Sequence, residues 1–508
     1  MRLILIRHGQ AEDASYDHTD VHRALTANGR ERLENAYPSL ARFLNTKSHC
    51  EVWTSPKTRA LQTAEVLCRY TPHIFPEVKD FLAEGDFDAF CQALSTLDHG
   101  MTIVVIGHEP YLSNWLREMT RMDVMFRKGR GEMLYLAPQR PRDAIRISDL
   151  SFGKMADLKL FTVPMGIGIE TMIQNQHKKI IEARDHFLDD PDDSEALSRL
   201  RVALRSQYAL IEFLRPYCTS QSFELAEEHY LSLYEDLEEL RSINAILKTI
   251  HNSRKLELAP LADALVVEQN SAVMDLCDQL SQPESEAAYS EALHLIMAAL
   301  MTVQRTEPLE QLVREQFISR YHLVQEAVLS TDFTNLADTE ALRALCKTSR
   351  YLFEFFSPLA DYRQAKQYLR IRRLNQRLST YCDTFYNMEH LHALFEDHMQ
   401  PGVDRAMNLY AQMMAKSAAD QLDVVDHLIE EVRQDVAHTD KAKADKKKTH
   451  DKHDKKDKSC KKKKHHGHKE KSDKHHDQKR KCTCKRHKAD GGDCTCKKSR
   501  AKKHKKKH

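Results

Sequence analysis

The sequence contains no apolar run approaching the roughly 20 residues that a helix needs to cross a bilayer. Its first apolar run, Leu3–Ile6, is too short for the core of a signal peptide, and no small-residue cleavage site follows it. Seven of the 12 cysteines occur singly within apolar patterns, at positions 50, 68, 91, 218, 277, 346 and 382. Scattered single cysteines are typical of a reducing compartment. These absences predict a cytoplasmic protein without a membrane partner.

Large apolar side chains are missing from residues 441–508, which contain no Val, Ile, Leu, Met, Phe, Tyr or Trp. Such a segment cannot offset the entropy cost of folding by apolar burial, so 439–508 are predicted to be a disordered tail. The 30 Lys and Arg of 441–508 against nine Asp and Glu give it a charge of +21, whereas residues 1–440 carry −19. The tail should attract polyphosphate or, non-specifically, nucleic acid. Folding back onto its acidic neighbour is the alternative.

Four cysteines near the end of the tail form two short pairs, Cys482 with Cys484 and Cys494 with Cys496. Residues 490–493 favour a turn that would bring four sulfurs to one zinc or other transition metal. The Cys-x-Cys spacing departs from the commoner Cys-x-x-Cys pattern of zinc sites. The alternative is a low-complexity repeat with reactive thiols.

Residues 1–160 alternate short β-rich runs, such as LILI, TIVVIG and GEMLYLA, with helical patterns. This order predicts a three-layer α/β domain with a mostly parallel sheet and helices on both faces. Three polar residues, His8, Ser55 and His108, follow predicted strands. Ligands of such sheets bind at the carboxyl ends of the strands, so the sequence predicts a site there.

Residues 161–169 contain a proline and two glycines and are predicted to be a linker, and the pattern from 170 to 438 is helical throughout. This second region repeats itself, because RVALRSQYALIEFL from Arg201 matches RALCKTSRYLFEFF from Arg343 at an offset of 142 residues. At that offset Arg205 corresponds to Lys347. The repeat predicts an all-helical domain of two related halves.

The strongest chemical signal in the chain combines Arg7-His8-Gly9 with Arg59 and His108, each near a predicted strand end. A neutral imidazole can attack phosphorus and hold the phosphoryl group covalently until water removes it. Guanidinium groups present paired N–H donors to phosphate, and a protonated His108 would add a third cation. Gly9 would leave room for a substrate close to the backbone. This chemistry requires no cofactor.

The segments LIRHGQAE, HRALTANGRE, VWTSPKTRALQTAEVL and VVIGHEPYLSNWL resemble the histidine phosphatase superfamily, and most closely its SixA-type phosphohistidine phosphatase branch. The resemblance implies that His8 is the phosphorylated nucleophile. It also implies that Arg7, Arg59 and His108 form the phosphate pocket. Arg23 matches a recurring arginine of the branch and is expected to contact substrate.

Larger members of that superfamily carry a carboxylic acid that protonates the leaving group. Glu84 and Asp86 are the nearest choices here, with Glu84 the candidate, but neither lies in a clear motif. The nitrogen leaving group of a phosphoramidate is basic and needs less help than an alkoxide. We therefore expect a phosphorylated protein or small molecule carrying phosphohistidine or another activated phosphate. The alternative is a domain that no longer turns over.

The repeated helices resemble the conserved-histidine α-helical (CHAD) domain, which implies binding of inorganic polyphosphate through basic residues. The matching positions are Arg201, Arg205, Arg343, Lys347 and Arg350, and a later basic run adds Arg370, Arg373 and Arg377. Ser198 and Glu340 stand where the two namesake histidines are expected. An interaction scaffold with solvated or paired arginines is therefore the alternative. The polyphosphate interpretation implies an enzyme associated with polyphosphate granules.

Overall fold

The computed structural model describes residues 1–13, 20–45, 49–193, 195–303, 307–333, 335–395, 402–420, 427, 429–431 and 433. The predicted disordered tail and its four cysteines, Cys482, Cys484, Cys494 and Cys496, lie outside the described residues. None of the described helices is both long and apolar enough to cross a membrane.

The N-terminal region is built on one six-stranded sheet with the order β3-β2-β4-β1-β5-β6. Its strands are β1 (Arg2–Arg7), β2 (Cys50–Thr54), β3 (Pro76–Val78), β4 (Thr102–Gly107), β5 (Gly131–Ala137) and β6 (Arg140–Leu150). The first four are mutually parallel, β5 runs antiparallel to β1, and β6 runs antiparallel to β5. The predicted mostly parallel α/β sheet is confirmed. The sequence pattern missed β6, an edge strand whose residues are mostly polar.

Six α-helices accompany the sheet: α1 (Ala27–Asn45), α2 (Thr58–Cys68), α3 (Phe81–Glu84), α4 (Phe87–Ser95), α5 (Tyr111–Thr120) and α6 (Phe152–Asp157). Alternate side chains of a strand point to opposite faces of the sheet. Ile4 and Ile6 therefore pack with the buried residues of α1 and α2. Leu3 and Leu5 pack on the other side with residues of α3, α4 and α5. The result is the expected three layers.

The second region is helical, as predicted: α7 (Met165–Asp189), α8 (Ala196–Leu214), α9 (Gln221–Glu235), α10 (Glu238–Ser253), α11 (Ala259–Ser281), α12 (Pro283–Leu300), α13 (Leu309–Ser330), α14 (Leu336–Phe356), α15 (Tyr362–Phe395) and α16 (402–420). The expected linker at 161–169 was wrong over its second half, because α7 already begins at Met165. Phe161, Met165 and Ile169 are buried, so this segment packs as core.

The helical region packs against the sheet through polar and aromatic contacts. Arg2 of β1 donates hydrogen bonds to the Tyr135 hydroxyl at 2.7 Å and to the Pro358 carbonyl at 2.9 Å. The Tyr135 hydroxyl in turn donates to the carbonyl of Ala360. Phe161 meets Phe356 edge-to-face, with ring centroids 6.2 Å apart. Both regions therefore contribute to one continuous apolar cluster.

Candidate active site and basic cluster of the helical region

The two histidines meet because β1 and β4 are neighbouring parallel strands. Arg7 pairs with Gly107 in the ladder, so His8 and His108 each follow directly after paired residues at the carboxyl edge of the sheet. Their ring centroids lie 5.1 Å apart. Both are buried, with 6% and 3% of their surfaces exposed. The structure thus brings together two residues separated by a hundred positions.

The His8 ring is fixed at one nitrogen and open at the other. Its Nδ1 lies 2.7 Å from the Gly9 carbonyl oxygen, an acceptor, so Nδ1 carries the proton and Nε2 keeps its lone pair. Arg59 Nε donates to that Nε2 at 3.2 Å. The Gly9 amide donates to the Thr63 hydroxyl at 3.0 Å, which ties the end of β1 to α2. Nε2 is therefore the atom placed to act as a nucleophile.

The electrostatics of the pocket keep His8 neutral. Burial is the main cause that lowers the pKa of His8 to about 4; the hydrogen bond to the Gly9 carbonyl opposes this shift, and the positive charges of Arg59, Arg7 and Lys128 add to it. Near neutral pH the imidazole is therefore unprotonated at Nε2. Only the neutral ring can attack phosphorus, so this environment suits covalent catalysis.

His108 departs from the sequence-based expectation in its charge. Burial is the main cause that lowers the pKa of His108 to about 3, and His8, Arg59 and Lys57 contribute to the same shift. The third cation expected at this position is therefore a neutral imidazole in the ligand-free protein. Its Nε2 lies 2.8 Å from the Ser55 hydroxyl, and its buried Nδ1 has no partner among the described residues. A hydrogen bond to a ligand would satisfy that nitrogen.

The two arginines predicted for the site line the same cavity as His8. Arg7, the last residue of β1, donates to the Phe126 carbonyl at 2.8 Å, while its buried Nε has no partner in the described part of the chain. Burial lowers the pKa of the Arg7 guanidinium. Arg59, in the first turn of α2, is only 5% exposed. These side chains are positioned by a strand end and a helix start, both rigid elements.

The Asp20 carboxylate forms ion pairs with cationic groups of the pocket. Its carboxylate lies 3.0 Å from nitrogen atoms of Arg59, Lys57 and Arg23. Burial alone would raise the pKa of this carboxyl, but the three hydrogen bonds outweigh it and hold the pKa well below its usual range. Arg23 also donates to the Glu12 carbonyl at 2.7 Å, so it does line the site as predicted. An incoming phosphate would compete with Asp20 for all three cations.

These groups surround one cavity of about 360 Å³. It is lined by Arg7, His8, Asp20, Arg23, Lys57, Arg59, His108, Glu109, Pro110, Tyr111 and Lys128. Sequence reasoning missed Asp20, Lys57, Glu109, Tyr111 and Lys128. The signal for Lys57 was available, because it stands two residues before Arg59 in the same segment. Lys128 precedes β5 in a stretch without any recognisable pattern.

Two residues with predicted roles, Gly9 and Glu84, do not line this cavity. A Cβ at Gly9 would lie 2.8 Å from Leu33 and 3.0 Å from Leu25, so Gly9 packs closely against these side chains. Glu84 is the exposed last residue of α3 and does not line the cavity. Asp86 caps α4 by accepting a hydrogen bond from the Ala89 amide at 2.9 Å.

Besides Asp20, the cavity is lined by the carboxylate of Glu109. Its Oε1 accepts hydrogen bonds from the Ser113 hydroxyl at 2.7 Å and from the Phe126 amide at 2.9 Å. Glu109 therefore fixes the chain around Phe126, whose carbonyl accepts from Arg7.

A second constellation lies where the repeated helices α8 and α14 pack together. The Arg205 guanidinium lies 4.5 Å from the ring centroid of Tyr351. Arg201 and the Lys347 ammonium both lie 5.2 Å from the ring centroid of Tyr234. The basic faces of the two repeats therefore converge around two tyrosines.

The cations of this cluster differ in their partners. Arg201 is paired with Glu238 at 2.7 Å, and Arg343 with Glu340 at 2.6 Å. Lys347 has no hydrogen-bond or carboxylate partner within the described residues, and burial lowers its pKa.

Arg205 resembles Lys347 in this respect, because its buried Nε is without a hydrogen-bond partner in the described ranges. Buried polar groups normally have partners. Arg205 and Lys347 are therefore the cations most available to a ligand.

The remaining predicted basic residues are distributed along α14 and α15. Arg350 lies 3.4 Å from Glu354 and stacks on Tyr351. Arg370 lies 3.5 Å from the Tyr321 hydroxyl of α13. Arg373 is exposed and Arg377 is half-buried. Within the described residues no group of three or more His, Cys, Asp and Glu side chains is arranged to hold a metal.

Comparison with known proteins gives two family matches. Residues 3–120 match the histidine phosphatase superfamily (branch 1), and residues 171–392 match the CHAD domain. A comparison with curated proteins finds no match.

Three solved structures are similar to parts of the chain. The protein histidine phosphatase SixA complexed with tungstate is 23% identical, with a TM-score of 0.27, over 30% of this chain and 99% of that one. The CHAD domain from the plant Ricinus communis is 14% identical, with a TM-score of 0.46, over 53% and 92%. PptA from Streptomyces chartreusis is 14% identical, with a TM-score of 0.39, over 54% and 100%.

The nucleophile pocket lies within or beside the first matched segment, and the cluster around Tyr234 and Tyr351 lies within the second. The chain thus combines a segment that matches the histidine phosphatase superfamily (branch 1) with a segment that matches the CHAD domain.

Proposed function

We propose that the chain is a phosphatase that moves a phosphoryl group from phosphohistidine or another activated phosphate to Nε2 of His8, and then to water. The observation that carries this proposal is a neutral, Nδ1-anchored imidazole facing a pocket of cations. A phosphatase-type hydrolase is supported by the family match. The phosphohistidine substrate and the route through His8 are the proposal.

In the first step the Nε2 lone pair attacks phosphorus while the bond from phosphorus to the leaving atom breaks. Charge builds on the three equatorial oxygens of the transferred group, which need cationic donors. Arg59 and Arg7 are placed to supply them, with His108 donating through its imidazole. Asp20 must release Arg59 as the phosphate enters, because both anions use the same guanidinium.

The leaving group receives little help from the protein in this scheme. Glu109 is an acceptor, and Glu84 lies outside the cavity. An imidazole leaving group takes its proton from solvent before the bond breaks, so a phosphoramidate can be cleaved without a protein acid. An unactivated alkyl phosphate cannot, and we expect it to be a poor substrate.

In the second step water attacks the phosphohistidine, the P–N bond breaks and the lone pair returns to Nε2. The Nδ1–H group stays hydrogen-bonded to the Gly9 carbonyl throughout, so the ring keeps its orientation. The products are inorganic phosphate and the neutral histidine with which the cycle began.

Trapping of a labelled phosphoenzyme tests the route. Incubation with a ³²P-phosphohistidine peptide followed by acid-free denaturation and proteolysis should place the label on the peptide containing His8. His8→Ala should lose both label and turnover, whereas the exposed control His73→Ala should keep both. Label on another residue would refute the mechanism. An unlabelled, inactive wild-type protein would instead favour the alternative, a binding scaffold without catalysis.

For the helical domain we propose binding of polyphosphate or a similar polyanion, because Arg205 and Lys347 lie in a basic cluster without carboxylate partners of their own. The alternative is a scaffold in which the arginines serve only internal ion pairs. A cytoplasmic location near polyphosphate-rich granules would follow from the binding function.

A further inference from the structure

A second basic cavity adjoins the catalytic pocket. This accessory pocket has a volume of about 330 Å³, and its walls include Arg7, Arg32, Arg127, Lys128, Arg130 and Phe152. Arg7 and Lys128 also line the catalytic cavity. The two cavities therefore lie side by side and share two cations.

Three separate elements build the accessory pocket. Arg32 projects from α1, and Arg130 precedes β5; their guanidinium carbons lie 5.1 Å and 5.6 Å from the ring centroid of Phe152 in α6. The ring therefore holds two arginines of different elements near each other. Stacking on an aromatic ring leaves the N–H edges of a guanidinium free for an anion.

Gly129 fixes this pocket relative to the nucleophile. Its amide donates to the carbonyls of both Arg7 and His8 at 3.0 Å. Its φ of +74° favours glycine, and a Cβ there would lie 2.8 Å from Phe152. Lys128, the preceding residue, is thereby held beside the end of β1, between the two cavities.

The cations of the accessory pocket lack carboxylate partners. No ion pair involves Arg32, Arg127, Lys128 or Arg130 in the described part of the chain, whereas Asp20 neutralises the cations of the catalytic pocket. Like charges gathered in a concave surface repel one another and concentrate a positive potential. A bound anion would relieve this repulsion.

We propose that the accessory pocket binds a second phosphate group of the substrate, next to the one that His8 receives, so that the substrate is a phosphoanhydride such as the end of an oligophosphate chain. This inference rests on the proposed phosphoenzyme route and specifies the class of activated phosphate. The sharing of Arg7 and Lys128 supports it, because two phosphates joined by one oxygen require cations that reach both.

The chemistry of the first step suits this substrate. The Nε2 lone pair of His8 forms the P–N bond, the bridging P–O bond breaks, and its electron pair stays on the shortened oligophosphate. That oxygen is far less basic than an alkoxide, so it leaves without a protein acid, in agreement with the acceptor role of Glu109. Water then cleaves the phosphohistidine, giving orthophosphate and one proton.

The full chain can be tested with tripolyphosphate, which has neighbouring phosphates, and phosphoramidate, which has one phosphoryl group. We expect the double variant Arg32→Gln/Arg127→Gln to lower the ratio of kcat/KM for tripolyphosphate to that for phosphoramidate at least tenfold. Both side chains are exposed, so the fold should tolerate the change. Arg42→Gln is the matched control, because Arg42 is an exposed arginine of α1 about 15 Å further along the helix.

An unchanged ratio in the double variant, or tripolyphosphate inert beside active phosphoramidate, would overturn the inference and leave the His8 route intact. If the double variant lost activity only on an acidic phosphohistidine peptide, the inference would also be overturned, and an acidic protein substrate would be favoured. If both small substrates were inert and no phosphoenzyme formed, the proposed function itself would fail.

Discussion

The Nε atom of Arg59 lies 3.2 Å from Nε2 of His8, the nitrogen that we propose attacks phosphorus. The same guanidinium is held by the Asp20 carboxylate at 3.0 Å. A phosphate that binds to Arg59 must therefore replace these internal partners. On the proposed route, catalysis depends on how readily Arg59 exchanges one anion and one nitrogen for the oxygens of the substrate.

Arg59→Lys tests the need for a planar, multiply donating cation. Lysine keeps the charge but loses the Nε donor to His8 and the paired donors to phosphate. We expect kcat/KM for phosphoramidate to fall by about 100-fold or more, as when one transition-state donor is removed. Arg69→Lys, a change at an exposed arginine paired with Glu34, is the control and should retain activity. Equal activity of the two variants would contradict the role of Arg59.

Asp20→Asn tests the competition for the cations. The amide removes a negative charge that holds Arg59, Lys57 and Arg23, so the pocket should accept an anion more readily. We expect the inhibition constant of inorganic phosphate to fall by about fivefold to tenfold, which corresponds to roughly 1 kcal/mol. Weaker phosphate binding by Asp20→Asn would instead identify Asp20 as a brace that orients Arg59.

The buried histidines predict how stability depends on pH. Burial lowers the pKa values of His8 and His108 to about 4 and about 3, below the usual 6.5, so the unfolded state binds more protons in this interval. Stability is therefore complete above about pH 6.5 and declines as the pH falls toward 4. Urea denaturation at pH 7.5 and 5.5 should show the loss.

His108→Gln provides the comparison for this prediction. The variant lacks one of the two titrating rings, so its free energy of unfolding should fall less between pH 7.5 and 5.5, by roughly 1 kcal/mol. An identical fall in both proteins would mean that His108 titrates normally in the folded state.

Arg205→Gln with Lys347→Gln tests the basic cluster of the helical domain. The protein should end at Thr439 for this experiment, so that the basic tail does not contribute. We expect polyphosphate affinity to fall at least tenfold and its salt dependence to become shallower, because two phosphate contacts are lost. Arg199→Gln is the control, because Arg199 is an exposed arginine of α8, the helix that carries Arg205.

Charge reversal at Arg370, Arg373 and Arg377 examines the predicted basic run on α15 in the same assay. Loss of binding in this triple variant, with Arg205 and Lys347 intact, would move the binding site to α15. No binding by the unaltered protein ending at Thr439 would support the scaffold alternative.

Glu84→Gln addresses the acid expected from the sequence. Because Glu84 is exposed and outside the catalytic cavity, the substitution should leave phosphoramidate turnover unchanged across the pH range. A loss of the basic limb of the pH–rate profile would show that Glu84 reaches the leaving group.

The meeting of His8 and His108 was predictable because strand ends in parallel sheets meet at one edge. The runs before His8 and His108 are continuous apolar segments, and this pattern is typical of central parallel strands. Once both are strands of one sheet, their following residues converge, as the pairing of Arg7 with Gly107 shows. The repeat offset predicted two related helical halves, and the structure places Arg205 and Lys347 of the two repeats in one cluster.

Asp20 and Lys128 were not predictable, because no periodicity governs the segments that carry them. Asp20 begins a short 3-10 helix, and Lys128 precedes Gly129, whose positive φ positions the loop. The surroundings of Gly9 and Glu84 were not predictable for a related reason. A sequence pattern locates a residue on an element but does not say which neighbours fill the space around it.

Arg2 and Tyr135 donate hydrogen bonds to the carbonyls of Pro358 and Ala360 and so join the sheet to the helical region. This interface therefore helps to stabilise the sheet itself. β1, the strand that ends next to His8, begins at this interface with Arg2. Cutting the chain near residue 160 would expose apolar surface of the sheet region to water. We therefore expect the N-terminal region to be unstable without the helical region. We expect both regions to unfold in a single thermal transition. Exchanging either region for a homologous one would also require exchanging the residues that contact it across this interface.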